Sequence, residues 1–259
     1  MQHINQVLNQ WPAGMVVTHE WLRARGVGRD QARKWARSGW LVRVGQGAYA
    51  RASDRLGWEG AAAGLQTIEA AGQPAYWPAG LTALELRLGS HFVSFGGIRL
   101  DVWGLPGRRL PRWFSARDWN ASVHYHNYRL FDDEPQARLT EHTPPGRDFN
   151  LQISASEWAV LEWLYGVPKN RLFSDQVVLT FEGLGTLRPG KIQTALENCR
   201  SVQVKRVFLY LAREIGHAWF PRLNLDAIDL GRGKRQLYPG GRLDREFQIT
   251  VPERVIQDG

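Results

Sequence analysis

The sequence predicts an α+β protein in two parts: a short basic module of helices and a hairpin over residues 1–54, and a larger mixed α/β domain over residues 55–259. Three observations lead to it. The chain, at 259 residues, exceeds the usual size of one domain, about 100–200 residues. Positive charge is lopsided: Arg23, Arg25, Arg29, Arg33, Lys34, Arg37, Arg43 and Arg51 stand against only Glu20 and Asp30, so six of the net +8 charges fall within the first 51 residues. Beyond residue 55, helical and strand periodicities both recur.

Hydrophobic residues at 43% and aromatics at 11% exclude a disordered chain. The single cysteine, Cys199, cannot form an internal disulfide, and neither a charged-then-apolar N-terminal segment nor an apolar run of about 18 residues occurs. No signal peptide or membrane span is therefore expected, and the expected compartment is the cytoplasm. A pI near 10.0 suits a polyanionic partner without naming one.

In the module, Ile4, Val7, Leu8 and Trp11 follow the i, i+3, i+4, i+7 spacing of an amphipathic helix, stopped by Pro12 and Gly14. Thr18 is suited to cap a second helix over residues 18–25, and Gly26 to end it in a left-handed conformation. After the turn Gly26-Val27-Gly28, a third helix over residues 29–38 turns Ala32, Trp35 and Ala36 to the core. Its outer face carries Asp30, Arg33, Lys34 and Arg37, flanked by Arg29 and Gln31. Two helices about a glycine turn, the second basic outside, read as helix-turn-helix. Strands over 41–44 and 48–51 around Gly45-Gln46-Gly47 form a hairpin, read as a wing. Double-stranded DNA is the expected partner. Arg33, Lys34 and Arg37 would face the major groove, while Arg29, Arg43, Gln46 and Arg51 hold phosphates or the minor groove.

In the larger domain Ser53-Asp54 reads as a link and residues 58–71, rich in alanine, as a helix. A helix over 81–88 places Leu81, Leu84 and Leu88 on one side before Gly89. Ile98, Leu100 and Val102 alternate with Arg99 and Asp101 as in a half-buried strand, and 122–128 reads as another. Ser154 with Glu157 reads as a capping box for a helix over 156–165. Two further helices carry Ile192, Ala195, Leu196 and Cys199, then Val204, Val207, Phe208, Leu211 and Ile215. Pro239-Gly240-Gly241 reads as the turn of a closing hairpin between 235–238 and 243–251. Arg200, Lys205 and Arg206 gather where cations oppose the helix dipole. With Lys234 and Arg235 they suit a second anion-facing surface, although an ordinary solvated face is the favoured reading of such a cluster.

The stretch "WPAGMVVTHEWLRARGVGRDQARKWARSGWLVRVGQGAYAR" resembles the winged helix-turn-helix at the N-terminus of AbiEi-type antitoxins. Farther on, "YWPAGLTALELRLG", "SASEWAVLEWLYGVP", "LRPGKIQTALENCRSVQVKRVFLYLARE" and "IDLGRGKRQLYPGGRLDREFQITVP" are similar, in the same order, to segments of the AbiEi antitoxin domain. The resemblance implies a promoter-reading module before an antitoxin domain. It further implies repression of the protein's own operon at inverted repeats, and action against a nucleotidyltransferase-like toxin without a stable complex.

No constellation argues for an enzyme, cofactor or metal. His124 and His126 share a strand face and would need His142 or Asp132 to complete a metal site, without the spacing of a known ligand motif. Gly231-Arg232-Gly233-Lys234-Arg235 lacks the spacing of a nucleotide cradle and reads as a basic turn. Cys199, at an apolar helix position, reads as a buried thiol. Asp101, Asp118, Asp132 and Asp133 are the carboxylates that a metal-dependent nuclease with a winged-helix targeting domain would use, but no E-x-K or D-x-K tripeptide accompanies them. An RNA-binding regulator using Lys205, Arg206, Lys234 and Arg235 is the other alternative.

Overall fold

The computed structural model describes residues 4–89 and 97–253. It is a mixed α and β chain that divides into two compact units. Among the described residues, one gathers those within 1–82, 94–128 and 139–154, and the other those within 83–93, 129–138 and 155–259.

The first unit opens with α1 (Ile4–Asn9), after which Trp11 buries its ring and donates Nε1–H to the Met15 carbonyl at 2.8 Å. β1 (Val17–Thr18) runs into α2 (His19–Ala24), whose first turn is capped by the Thr18 hydroxyl accepting from the Trp21 amide at 3.3 Å. Gly26 takes φ +74° and turns the chain into α3 (Arg29–Arg37). β2 (Leu41–Gly45) and β3 (Ala48–Arg51) follow as a hairpin, and β1 joins them in an antiparallel sheet ordered β1-β3-β2.

Next comes α4 (Trp58–Gln66), which ends five residues before the end of the expected helix over 58–71. The Thr67 hydroxyl donates to the Gly64 carbonyl at 2.7 Å, and Ala71 and Gly72 both take positive φ. The two residues make the tight turn between β4 (Glu69–Ala70) and β5 (Gln73–Pro74), so pairing overrides alanine's helix propensity. Nor is Ser53-Asp54 a loose link. The buried Asp54 carboxylate accepts from the Gly14 amide at 2.7 Å and from Arg51 Nε at 3.0 Å.

α4 lies close to the backbone at residues 14–16. Val16 donates its amide to the Gly60 carbonyl at 3.0 Å. A Cβ on Gly60 would overlap the Gly14 carbonyl oxygen, and one on Gly64 would lie 2.5 Å from that of Val16. These two glycines are spaces that the packing requires.

β6 (Tyr76–Pro78) precedes α5 (Gly80–Leu88), which leads from the first unit to the second. β7 (Ile98–Gly104), α6 (Arg112–Ser115) and β8 (Ala121–His126) return to the first, where β7 is the centre of a sheet, antiparallel to β6 and parallel to β8. β7 is paired along both edges and is buried from Leu100 through Gly104 on both faces, so the expected solvated face does not exist there. Asp101 is buried, held by Arg99 Nη2 at 2.8 Å, with its amide on the Thr82 hydroxyl, whereas Ile98 is exposed. β9 (Leu139–His142) and β10 (Leu151–Ser154) pair antiparallel, and Gln66 at the end of α4 exchanges two hydrogen bonds with the Gln152 backbone.

The second unit consists of α7 (Pro135–Arg138), α8 (Ser156–Gly166), α9 (Asp175–Glu182), α10 (Pro189–Asn198), α11 (Val202–Ile215), β11 (Arg242–Asp244) and β12 (Ile249–Val251). α11 is its core helix, buried from Val204 through Ala212. Ser201 caps it, and Gly216 ends it at φ +76°. The expected capping box of α8 is not formed. Ser154 belongs to β10, Ala155 is the N-cap, and the Glu157 carboxylate takes Arg188 Nε at 2.8 Å. Burial pushes Glu157 upward most strongly, but the hydrogen bonds from Arg188 leave it below its ordinary value. The closing hairpin also turns elsewhere than expected. β11 pairs with β12 across Arg245–Gln248, where Asp244 accepts from the Phe247 amide and Gln248 takes φ +54°. Pro239-Gly240-Gly241 merely leads into it, and Leu243 is exposed.

Beside α11 the rings of Phe181, Phe208, His217 and Trp219 pack on one another, His217 and Trp219 stacked at 4.8 Å. His217 Nε2 lies 2.9 Å from the Phe181 carbonyl, and burial lowers the ring's pKa.

Two consequences can be measured. Gly60→Ala forces α4 away from residues 14–16 and is expected to destabilise by about 1–3 kcal/mol or more, read as a lower Tm. For His217, the folded state favours the neutral ring, so its contribution is full above the ordinary value of 6.5 and is lost as pH falls through the lower folded-state value. Urea melts at pH 7.5 and 5.5 should show wild type losing more stability on acidification than His217→Gln.

Candidate nucleic-acid interface

α3 begins at Gly28, which supplies the extended N-cap conformation without a side chain. Ala32 and Trp35 anchor the inner face; Arg29, Asp30, Arg33, Lys34 and Arg37 are exposed, and Gln31 is half-buried. Arg33 Nη1 sits 3.6 Å from Asp30 Oδ1, an exposed pair too weak to immobilise the guanidinium. The Lys34 and Arg37 charges lie in the last turn, where they favour the helix dipole.

Between α3 and the hairpin runs a groove of two adjoining hollows. The larger, about 540 Å³, is lined by Asp30, Arg33, Ala36, Arg37, Arg43 and Tyr49. The smaller, about 300 Å³, shares Arg33, Arg43 and Tyr49 and adds His19, Glu20, Arg29 and Gln46. The fold thus brings Arg29, Arg33 and Arg37 of α3 together with Arg43 and Gln46 of the hairpin. Arg43 Nε donates back to the Gly45 carbonyl at 3.3 Å, which holds its stem along the strand. Gln31 and Lys34 do not line the groove. Arg51 is largely covered by its pairing with Asp54 and braces the module from within.

The second basic set is not one surface. Lys205 and Arg206 are 3% and 2% exposed. The Arg206 guanidinium donates to four carbonyls: Leu230 at 2.8 Å, Gly233 at 2.7 Å, Gln248 at 3.1 Å and Gly231 at 3.3 Å. Positive φ at Gly231 and Gly233 shapes that turn, and its carbonyls face inward on a cation. A phosphate cradle requires amides facing outward. Arg200, Lys234 and Arg235 are exposed, with Arg200 3.8 Å from Asp132.

The histidines and carboxylates have local partners. His126 stacks on Trp103 at 4.9 Å, and His124 Nε2 lies 3.3 Å from the Ser122 hydroxyl; burial lowers both pKa values. Asp118 accepts from the Asn120 amide, and Asp133 from Trp158 Nε1. Among the described residues, no three His, Cys, Asp or Glu side chains converge as a metal site. The Cys199 thiol is buried, which pushes its pKa up to about 11.

The model of the N-terminal domain of the AbiEi antitoxin transcriptional regulators matches residues 1–95, and that of the AbiEi antitoxin transcriptional regulators of type IV toxin-antitoxin systems matches residues 98–252. The chain belongs to the AbiEi antitoxin family. The fold of this AbiEi chain is similar to the crystal structure of the RV2827C protein from Mycobacterium tuberculosis, at a TM-score of 0.53 and 19% identity over 93% of this chain and 87% of that one. No curated protein sequence matches it. Among the described residues, no helix is long and apolar enough to cross a membrane.

Sequence reasoning did not place His19, Glu20 or Tyr49 in the groove of this AbiEi chain. Tyr49 carries a weak signal, as an aromatic opposite Arg43 on the neighbouring strand. His19 and Glu20 come there because the His19 amide bonds the Gly47 carbonyl at 2.7 Å, a long-range contact without local trace.

For Arg206, replacement by Met leaves buried carbonyls unpaired at about 1–3 kcal/mol each. The expected outcome is lower stability, with faster hydrogen exchange at the Arg235 and Thr250 amides, which pair around the same turn.

Proposed function

We propose that residues 1–54 of this chain form a winged helix-turn-helix that reads double-stranded DNA upstream of its own operon. The convergence of Arg29, Arg33, Arg37, Arg43 and Gln46 on one groove carries this reading. α3 enters the major groove, where Arg33 and Arg37 offer guanidiniums to the two acceptors of guanine and Lys34 and Gln31 lie alongside. Arg29, Arg43 and Gln46 grip the backbone or minor groove beside it. Arg51 acts indirectly, by holding Asp54 and so the base of the hairpin. Scattered surface charge would not need four arginines and a glutamine from two elements lining one groove.

On this reading the protein is an autorepressing antitoxin that acts by binding rather than catalysis. It represses at inverted repeats in its promoter and counteracts a nucleotidyltransferase-like toxin without a stable complex, as its family resemblance implies. Residues 55–259 are the antitoxin domain, and Arg200, Lys234 and Arg235 are among its exposed basic groups.

Mobility-shift titrations on the upstream DNA and on scrambled DNA, at two salt concentrations, test the reading. Wild type is expected to prefer the upstream DNA and to weaken with salt. Arg33→Ala should cost about 1–3 kcal/mol on the specific site and little on scrambled DNA, whereas Arg43→Ala weakens both alike. Equal losses by both variants on both DNAs would remove the assignment of roles, and no preference in wild type would remove autorepression.

A further inference from the structure

Residues 105–119 carry a second group of cations that neither the groove nor the second unit uses. Arg108, Arg109, Arg112 and Arg117 are all exposed, and Asp118 is the only carboxylate among them. Asp118 is occupied with the Asn120 amide. Among the described residues, no carboxylate comes within ion-pair distance of the four guanidiniums.

The backbone under these side chains is pinned. The Arg108 carbonyl accepts from the Tyr125 hydroxyl at 2.8 Å and from Asn127 Nδ2 at 2.7 Å; the Arg109 carbonyl accepts from the Tyr76 hydroxyl at 2.7 Å. Burial pushes the Tyr125 hydroxyl up to about 12, so it remains a donor at neutral pH. α6 follows, with Trp113 and Phe114 buried and the Trp119 indole donating to the Phe114 carbonyl at 2.9 Å. Arg117 lies over the Trp119 ring at 5.3 Å. The charges are thus unpaired with carboxylates while their support is fixed, the condition under which ordering costs least on binding.

Where that support sits decides its use. α6 packs on β2, and a Cβ added to Gly45 would stand 2.6 Å from Trp113 Cβ and 2.8 Å from its Cα. Gly45 does not need positive φ. Its missing side chain instead admits the Trp113 backbone, which puts Arg112, the residue before Trp113, directly beside the hairpin whose tip is Gln46.

We propose that Arg108, Arg109 and Arg112 form a strip that extends the DNA interface along the phosphate backbone beyond the hairpin. The strip rests on the reading of α3 and the hairpin as a DNA-binding module and adds a contact from outside residues 1–54. It reads no bases. Its role is to lengthen the footprint and strengthen binding to any duplex.

The test is the full-length triple variant Arg108→Gln, Arg109→Gln, Arg112→Gln beside wild type and Arg33→Ala, with matching thermal melts as the folding control. Each phosphate contact contributes about 0.9 to the slope of log affinity against log salt. The triple variant is expected to have a shallower slope by about 2 to 3 on upstream and scrambled DNA alike. Its preference for the upstream site should persist, and hydroxyl-radical protection should shorten on one flank. An unchanged slope and footprint, while Arg33→Ala still loses site preference, overturns the strip alone. Absence of DNA binding by wild type overturns the strip together with the reading beneath it. An unchanged DNA slope with lost binding to single-stranded RNA also overturns it, assigning these arginines to RNA.

Discussion

Val16 gives its amide to a carbonyl within a helix, that of Gly60, and α4 can come so near only because Gly60 and Gly64 leave its face bare. Much of the first unit is fastened through this approach. On one side of it, residues 14–16 lead into β1, which pairs with β3 and thereby supports the hairpin. At the end of α4, Gln66 bonds the backbone of β10 in both directions. Asp54 adds a second tie, since it joins Gly14 to Arg51 at the base of the same hairpin. The groove between α3 and the hairpin is therefore built on a rigid support, and the entropy of arranging its arginines is confined to their side chains.

Arginine serves two opposed purposes in this protein, and sequence position does not distinguish them. Arg51, Arg188 and Arg206 are joined to carboxylates or carbonyls of the chain itself. In Arg206 the planar fork satisfies four carbonyls of a turn that would otherwise bury them unpaired. Arg29, Arg33, Arg37, Arg43 and Arg112 are exposed, and where they have partners these are weak or local. The difference is one of burial and of competing acceptors: a guanidinium surrounded by carbonyls is spent on the fold, and one facing water remains available to a phosphate.

Glycine is divided in the same way. Gly26, Gly47, Gly72 and Gly216 supply positive φ at turns and helix ends, as their positions between periodic segments suggest. Gly45, Gly60 and Gly64 instead supply room, for Trp113 and for the backbone at residues 14–16. A glycine whose purpose is space for a residue far away in the sequence leaves no local pattern.

The sequence by itself determined the order and near-boundaries of the first three helices and the hairpin, the apolar faces of α10 and α11, and the charge bias of the first fifth of the chain. These follow from periodicity, caps and glycine stops, which act over a few residues. Only the tertiary structure decided which charges share a groove, that Lys205 and Arg206 are buried, that α4 ends at Gln66, that Asp101 lies within a sheet, and that the last hairpin turns at Arg245–Gln248. Each of these depends on a partner distant in sequence: a carbonyl, a neighbouring strand or a close backbone. Burial and hydrogen-bond satisfaction there outweigh local preference, because an unpaired polar group inside the protein costs more than a residue's propensity for helix or turn.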